Sequence, residues 1–105
     1  MKRRAVRLSK TFNDQLVEQI DCGEQRFGAR VAEAKKERVL AIIENLLANN
    51  PAIKRPDPVL GLVVYPISDT PFFILYDYDE HLLRVHFVFR AGASLDDLDP
   101  NSAEW

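Results

Sequence analysis

Hydrophobic residues change their spacing twice along this chain. From Ala5 to Ser9 they alternate, with Val6 and Leu8 on one side and Ala5, Arg7 and Ser9 on the other, which predicts a short strand buried on one face. From Lys10 the spacing becomes helical: Phe12, Leu16 and Ile20 recur every four residues, with Val17 beside them. Thr11-Phe-Asn-Asp14 resembles a capping box, and Cys22-Gly23 is expected to stop this first helix. A second stripe, Phe27, Val31, Ala34, Val39, Ile42, Ile43, Leu46 and Leu47, predicts a long helix with Gly28 in its first turn. Arg30, Lys35, Lys36, Glu37 and Glu44 take its outer side. Asn49-Asn50-Pro51 ends it, because Asn tolerates a left-handed cap and Pro cannot continue the hydrogen-bond ladder.

Pro51, Pro56 and Pro58 mark an extended loop, with too little chain on either side for two cores. Three apolar runs follow: Leu60 to Ile67, Phe72 to Tyr78 and Leu82 to Arg90. The breaks Ser68-Asp69-Thr70-Pro71 and Asp79-Glu80-His81 carry turn residues at hairpin length, so the three runs are expected to meander antiparallel. Residues 91–105 are expected to be irregular, or one short turn of helix over a sheet edge. The order β-α-α-β-β-β predicts an α+β fold, two N-terminal helices packed on one face of an antiparallel sheet, as a single domain spanning 1–105.

Composition narrows the function classes. The 105 residues suffice for one core, and 47% apolar against 29% charged residues excludes a disordered tail. The longest apolar windows, Leu60 to Tyr65 and Leu82 to Phe89, fall short of the roughly 20 residues of a membrane-spanning helix. Met-Lys-Arg-Arg opens like a signal peptide, but Lys10, Asn13, Asp14 and Gln15 leave no apolar segment after it, and Cys22 is the single cysteine. A cytoplasmic location is expected. The net charge of -2 conceals an asymmetry: Lys2, Arg3, Arg4, Arg7 and Lys10 crowd the first ten residues, while Asp96, Asp97, Asp99 and Glu104 occupy the last fifteen without a base. The basic arm is either a contact for an acidic partner or an ordinary solvated terminus.

The last strand carries the most chemistry. Alternation separates Leu83, Val85, Phe87 and Phe89 from Arg84, His86, Val88 and Arg90. If the helices cover the first row, Arg84, His86 and Arg90 stand together on an open face. A His between two Arg residues suits acid–base work on a phosphodiester, with the guanidinium groups stabilising phosphate charge. The same residues also suit the solvated side of an amphipathic strand. His81 belongs to a turn, Asp77 and Asp79 read as strand-ending acids, and Cys22 as a small buried or half-buried side chain. No Gly-rich phosphate loop, nucleophile elbow or metal-ligand set occurs, so no cofactor is expected. Both sheet faces receive aromatic residues, which predicts an apolar groove awaiting a partner.

The element order, with Phe72-Phe-Ile-Leu-Tyr76-Asp-Tyr-Asp79 and Leu82-Leu-Arg-Val-His86-Phe-Val-Phe-Arg90, resembles the RelE/ParE superfamily of toxins from bacterial toxin–antitoxin modules. The resemblance covers Val6 to about Asp99, and the ending Leu95-Asp-Asp-Leu98-Asp-Pro100 with Glu104-Trp105 is similar to a ParE-like subset. It implies one of two activities on one fold: ribosome-dependent cleavage of mRNA, as in RelE-like members, or poisoning of DNA gyrase, as in ParE-like members. Where RelE-like nucleases carry an Arg just after the first aromatic of the middle strand, this sequence has Phe73. Where many members place a His and further basic residues at the end of the last strand, it has Arg90 followed by Ala91, Gly92 and Ala93.

The nuclease set is therefore depleted, and Arg84, His86 and Arg90 remain as expected target-binding residues, or catalytic ones if the chain is a nuclease. A slightly acidic chain also lacks the counterion-release advantage of an RNA binder. The resemblance implies a gyrase-inhibiting toxin neutralised by a ParD-like, ribbon-helix-helix antitoxin, bound through Lys2, Arg3, Arg4 and Phe73. The alternatives are a RelE-like endoribonuclease and an inactive antitoxin-binding module.

Overall fold

The structure is a computed structural model that describes residues 3–105. Strand β1 (Ala5–Leu8) forms where alternation predicts it, and helix α1 (Lys10–Phe27) follows at once. Ser9, not Thr11, is its N-cap: the Ser9 Oγ accepts the Phe12 N–H at 2.8 Å. The helix also runs through Cys22-Gly23 instead of stopping there. A single interior glycine costs a helix only about 1 kcal/mol, less than the buried faces of Leu16 and Ile20 recover. The break comes at Gly28, whose φ of 89° and ψ of 161° belong to a region open essentially to glycine alone. Helix α2 (Ala29–Ala41) then continues into one wide turn, Ile42–Leu47, where the Ala48 N–H reaches back to the Ile43 carbonyl at 3.0 Å. Pro51 opens a short turn through Ile53.

Strand β2 (Val63–Pro66) is shorter than the apolar run that announces it, whereas β3 (Phe72–Tyr78) and β4 (Leu82–Arg90) fill theirs. The sheet order is β1-β4-β3-β2. Strands β2, β3 and β4 meander antiparallel as expected, but β1 joins β4 in parallel, so the sheet is mixed. The long passage through α1 and α2 supplies the crossover that a parallel pairing requires. Beyond Leu8 the outer edge of β4 loses its partner strand, and Gln15 of α1 replaces it, its Oε1 accepting the Val88 N–H at 2.9 Å.

One irregularity decides which residues share a face. Leu75 pairs with Phe87, but Tyr76 pairs with Val85, leaving His86 without an opposite number: β4 carries a bulge there. Leu83, Val85 and Val88 therefore face the helices, packed with Phe12, Leu16, Ile20, Val39, Ile43, Leu47, Ile74 and Tyr76 in the main core. Phe87 and Phe89 lie on the other face, against Phe73 and Leu75. The row Leu83-Val85-Phe87-Phe89 expected from strict alternation holds only as far as Val85. Tyr76, fully buried, donates its hydroxyl to the Pro51 carbonyl at 2.7 Å, and burial, with Tyr78 and Tyr65 nearby, pushes its pKa up.

The far face is covered by the chain itself. Leu60 and Leu62, just ahead of β2, and Leu95, Leu98 and Ala103 of the tail pack on Leu75 and Phe87. The tail thus crosses a sheet face, not an edge, and fills the apolar surface expected to await a partner there. It closes on α1: the Glu104 carbonyl accepts the Lys10 and Thr11 N–H groups at 2.7 and 3.4 Å, and the Glu104 N–H donates to Thr11 Oγ1 at 2.9 Å. Among the described residues no helix is long and apolar enough to cross a membrane.

Candidate functional site

The bulge and the cross-strand pair Asp77–Arg84 build a polar cluster on the tail-covered face. Asp77 accepts from Arg84 Nε at 2.9 Å and Nη2 at 2.8 Å, a two-pronged ion pair across the strands. His86, turned onto the same face by the bulge, places its Nε2 3.2 Å from Asp77 Oδ1, yet neither ring nitrogen has hydrogen-bond geometry to a partner. Trp105 covers it, edge to face, with ring centroids 4.9 Å apart. Arg7, which neighbours Arg84 in the parallel ladder, lays its guanidinium over the Trp105 ring at 5.2 Å from the centroid.

Chemically this cluster holds charge in balance. Both Asp77 oxygens are engaged by Arg84, and the His86 side chain is 10% exposed with its nitrogens buried. A general acid or base must come within hydrogen-bond reach of its substrate proton, and in this arrangement Trp105 lies over His86 and both ring nitrogens are buried. What solvent meets is the rim: Arg7, Arg84 and Trp105, all exposed.

Arg90 is elsewhere. It pairs with Phe72 on the helix side of the sheet and lines a hollow with Gln19, Phe27, Lys35 and Thr70. Arg84, His86 and Arg90 therefore do not share an open face, because the extra residue at position 86 inverts the alternation between the first two and the third.

The other expected partner contacts are partly engaged within the chain. Lys2 lies outside the described residues. Arg3 pairs with Glu44 at 2.8 Å, and Arg4 donates from Nε to the Asp79 carbonyl at 2.6 Å while lying over the Tyr78 ring. Phe73 is half-buried, its ring 5.9 Å from that of Phe89. His81 is exposed in its turn, as expected, but Cys22 is exposed where burial is expected. Asp79 organises that turn: its Oδ1 accepts the His81 and Leu82 N–H groups, both at 2.8 Å, and these bonds, His81 first, hold its pKa below the ordinary carboxylate value. Among the described residues no group of three His, Cys, Asp or Glu is placed to hold a metal ion.

Two contributors escape the sequence pattern. Asp77 reads there as a strand-ending acid, and Trp105 as part of an irregular tail. The signal available for Trp105 is that it is the single tryptophan of the chain, beside Glu104, whose backbone closes on the start of α1.

Residues 6–92 match the family model described as ParE toxin of type II toxin-antitoxin system, parDE. Among solved structures the chain is similar to one titled "Chromosomal ParDE TA system from P. aeruginosa", with a TM-score of 0.70 and 13% sequence identity over 85% of this chain and 97% of that one. At that identity the likeness speaks for the fold alone, and it accords with the β-α-α-β-β-β order. No curated protein matches the sequence. With its family model spanning both helices and all four strands, the chain belongs to the ParE toxins of type II toxin–antitoxin systems.

Proposed function

We propose that the chain, acting as a single toxin domain, inhibits DNA gyrase in the cytoplasm and is neutralised by a ParD-like antitoxin. The observation that carries the choice of a protein target is the Arg84–Asp77–His86 arrangement. Its one carboxylate neutralises Arg84, its histidine is buried under Trp105, and Arg90 is on the other side of the sheet. Within this cluster that leaves Arg7 and Arg84 exposed without an accessible acid or base beside them to cleave a phosphodiester. It leaves instead a rim of Arg7, Arg84 and Trp105, and Trp and Arg are the side chains that most often anchor protein interfaces.

The rim is accordingly the proposed gyrase-contacting surface, with His86 supporting Trp105 from beneath and Arg90 taking no part. The test is supercoiling of relaxed plasmid by purified gyrase at increasing toxin. Supercoiling should fall and cleaved DNA should accumulate. Unchanged supercoiling at excess folded toxin overturns the proposal, and cleavage of translated mRNA in the same preparation would favour the endoribonuclease instead.

A further inference from the structure

The helical hairpin has one flank rimmed by acids and another rimmed by bases. On the β1 side, α1 and α2 frame an apolar groove of about 550 Å³, lined by Leu8, Leu16, Ile20 and Leu40, with Val17 beside them, 61% exposed. Asp21 and Glu24 rim this groove and form no ion pair among the described residues, while Glu33 meets the groove's one base, Lys36, only at 3.9 Å. On the other side, where the hairpin meets the start of β3 and the end of β4, two adjoining hollows of about 450 and 420 Å³ share Lys35 and Asp69. Phe27 and Val31, 58% and 43% exposed, line them. Arg30, Lys35 and Arg90 rim them without an ion pair among the described residues, and the one acid, Asp69, is approached by Arg38 at 3.9 Å.

Three of the large apolar side chains left open to solvent, Val17, Phe27 and Val31, thus lie on two flanks of opposite charge. Exposed apolar patches ringed by polar residues mark interaction sites, and opposite signs around the two patches match one to the other. A partner rich in one sign suits one flank and is repelled by the other. A second copy of this chain suits both. The net charge of -2 per copy opposes such a contact weakly, since exposed charges farther apart than about 8 Å are largely screened at physiological salt. Because the two flanks lie on different sides of the hairpin, the contact is head to tail, and each added copy leaves one flank of each kind open.

We infer that the free chain self-associates head to tail, with Phe27 and Val31 of one copy seated in the Val17-edged groove of the next and Arg30 and Lys35 facing Asp21 and Glu24. The inference is independent of both gyrase and the antitoxin.

The test is sedimentation equilibrium of the purified full chain from about 1 μM to about 1 mM, at low and high salt. The weight-average mass should rise with concentration past that of a dimer, and less so at high salt. Arg30→Glu/Lys35→Glu and Asp21→Lys/Glu24→Lys should each weaken self-association by about tenfold or more. The first variant has two acidic flanks and the second two basic ones, so an equal mixture should associate again. Phe27→Ser should weaken association at both salt concentrations alike. Arg30→Glu places an acid in the first turn of α2 and Glu24→Lys a base in the last turn of α1, both favoured by the helix dipole. All the substituted side chains are exposed or half-buried, and circular dichroism with thermal unfolding establishes that each variant is folded. A wild type that stays monomeric throughout leaves these flanks to other partners and overturns the inference. So does a mass that levels off at the dimer, wild-type association in either charge-reversed variant, or a folded pair of variants that fails to associate on mixing.

Discussion

The hydroxyl of Ser9 donates to the carbonyl oxygen of His86 at 2.6 Å while accepting the Phe12 N–H at 2.8 Å. One buried side chain thus starts the first helix and satisfies the backbone of the bulge in the central strand. Ser9→Ala removes a cap, worth about 1 kcal/mol, and strands a carbonyl in a buried site, worth roughly another 1 kcal/mol or more. Urea unfolding should show a loss of about 2 kcal/mol in total. A loss within a few tenths of wild type would mean that the two bonds are replaced by solvent.

Glycines 23 and 28 should respond to alanine with opposite signs. A Cβ on Gly23 would meet the Ala32 Cβ at 3.6 Å, an ordinary contact, inside a helix that alanine favours. Gly23→Ala should therefore stabilise by about 0.5–1 kcal/mol. Gly28 has open space around it but a backbone conformation closed to other residues, so Gly28→Ala should cost about 1–3 kcal/mol. Thermal melts of the two single variants decide the matter, and a shift of the same sign in both would contradict this account.

Asp79 contributes a pH dependence of known sign. Its folded pKa is lowered by the His81 and Leu82 N–H groups, so its stabilisation is fully present above the unfolded value of about 3.9. It is lost as pH falls through the lowered folded value. Asp79→Asn keeps an oxygen for both N–H groups and removes the titration. Below about pH 4 the unfolding midpoint of the wild type should fall more steeply than that of Asp79→Asn; parallel curves would assign the acid sensitivity to other carboxylates.

Trp105 links stability to the proposed target contact. It is 43% exposed, with Arg7 on its face and His86 beneath. Trp105→Ala should raise the toxin concentration needed for half-inhibition of gyrase by about tenfold, the scale of losing one interface anchor. Trp105→Phe, which keeps an aromatic ring over His86, should recover part of that loss. Equal activity in all three proteins would remove Trp105 from the contact.

The helices, the three-strand meander and the α+β class are legible in the sequence because each rests on local spacing. Phe12, Leu16 and Ile20 report a helix wherever their partners lie, and Ser68–Pro71 and Asp79–His81 report turns by composition. What was not legible depends on distant pairings. Four residues of β1 carry no mark of parallel attachment to β4, since that is fixed by the Ser9 N–H reaching the Val85 carbonyl at 3.0 Å and by Gln15 completing the edge. The split of the expected Arg84-His86-Arg90 set has the same origin: no residue type announces a bulge at His86. Phe27, Val31 and Ala34 fit the helical stripe, which makes burial the natural expectation, yet all three are exposed and Ala32 takes the buried position in the first half of α2.

That bulge gives the central strand a parity. Before His86, odd-numbered positions of β4 look toward the helices; after it, even-numbered ones do. Straightening the bulge with His86 kept in the strand would not remove a contact so much as exchange the surfaces of everything downstream, bringing position 90 round to the face that carries Arg84 and sending Phe87 and Phe89 into the helical core, whereas deleting His86 would leave them all where they are. Two toxins of this fold could therefore share a strand sequence almost letter for letter and present different chemistry to their targets. Residue correspondences along this strand are meaningful only when counted outward from the bulge in both directions.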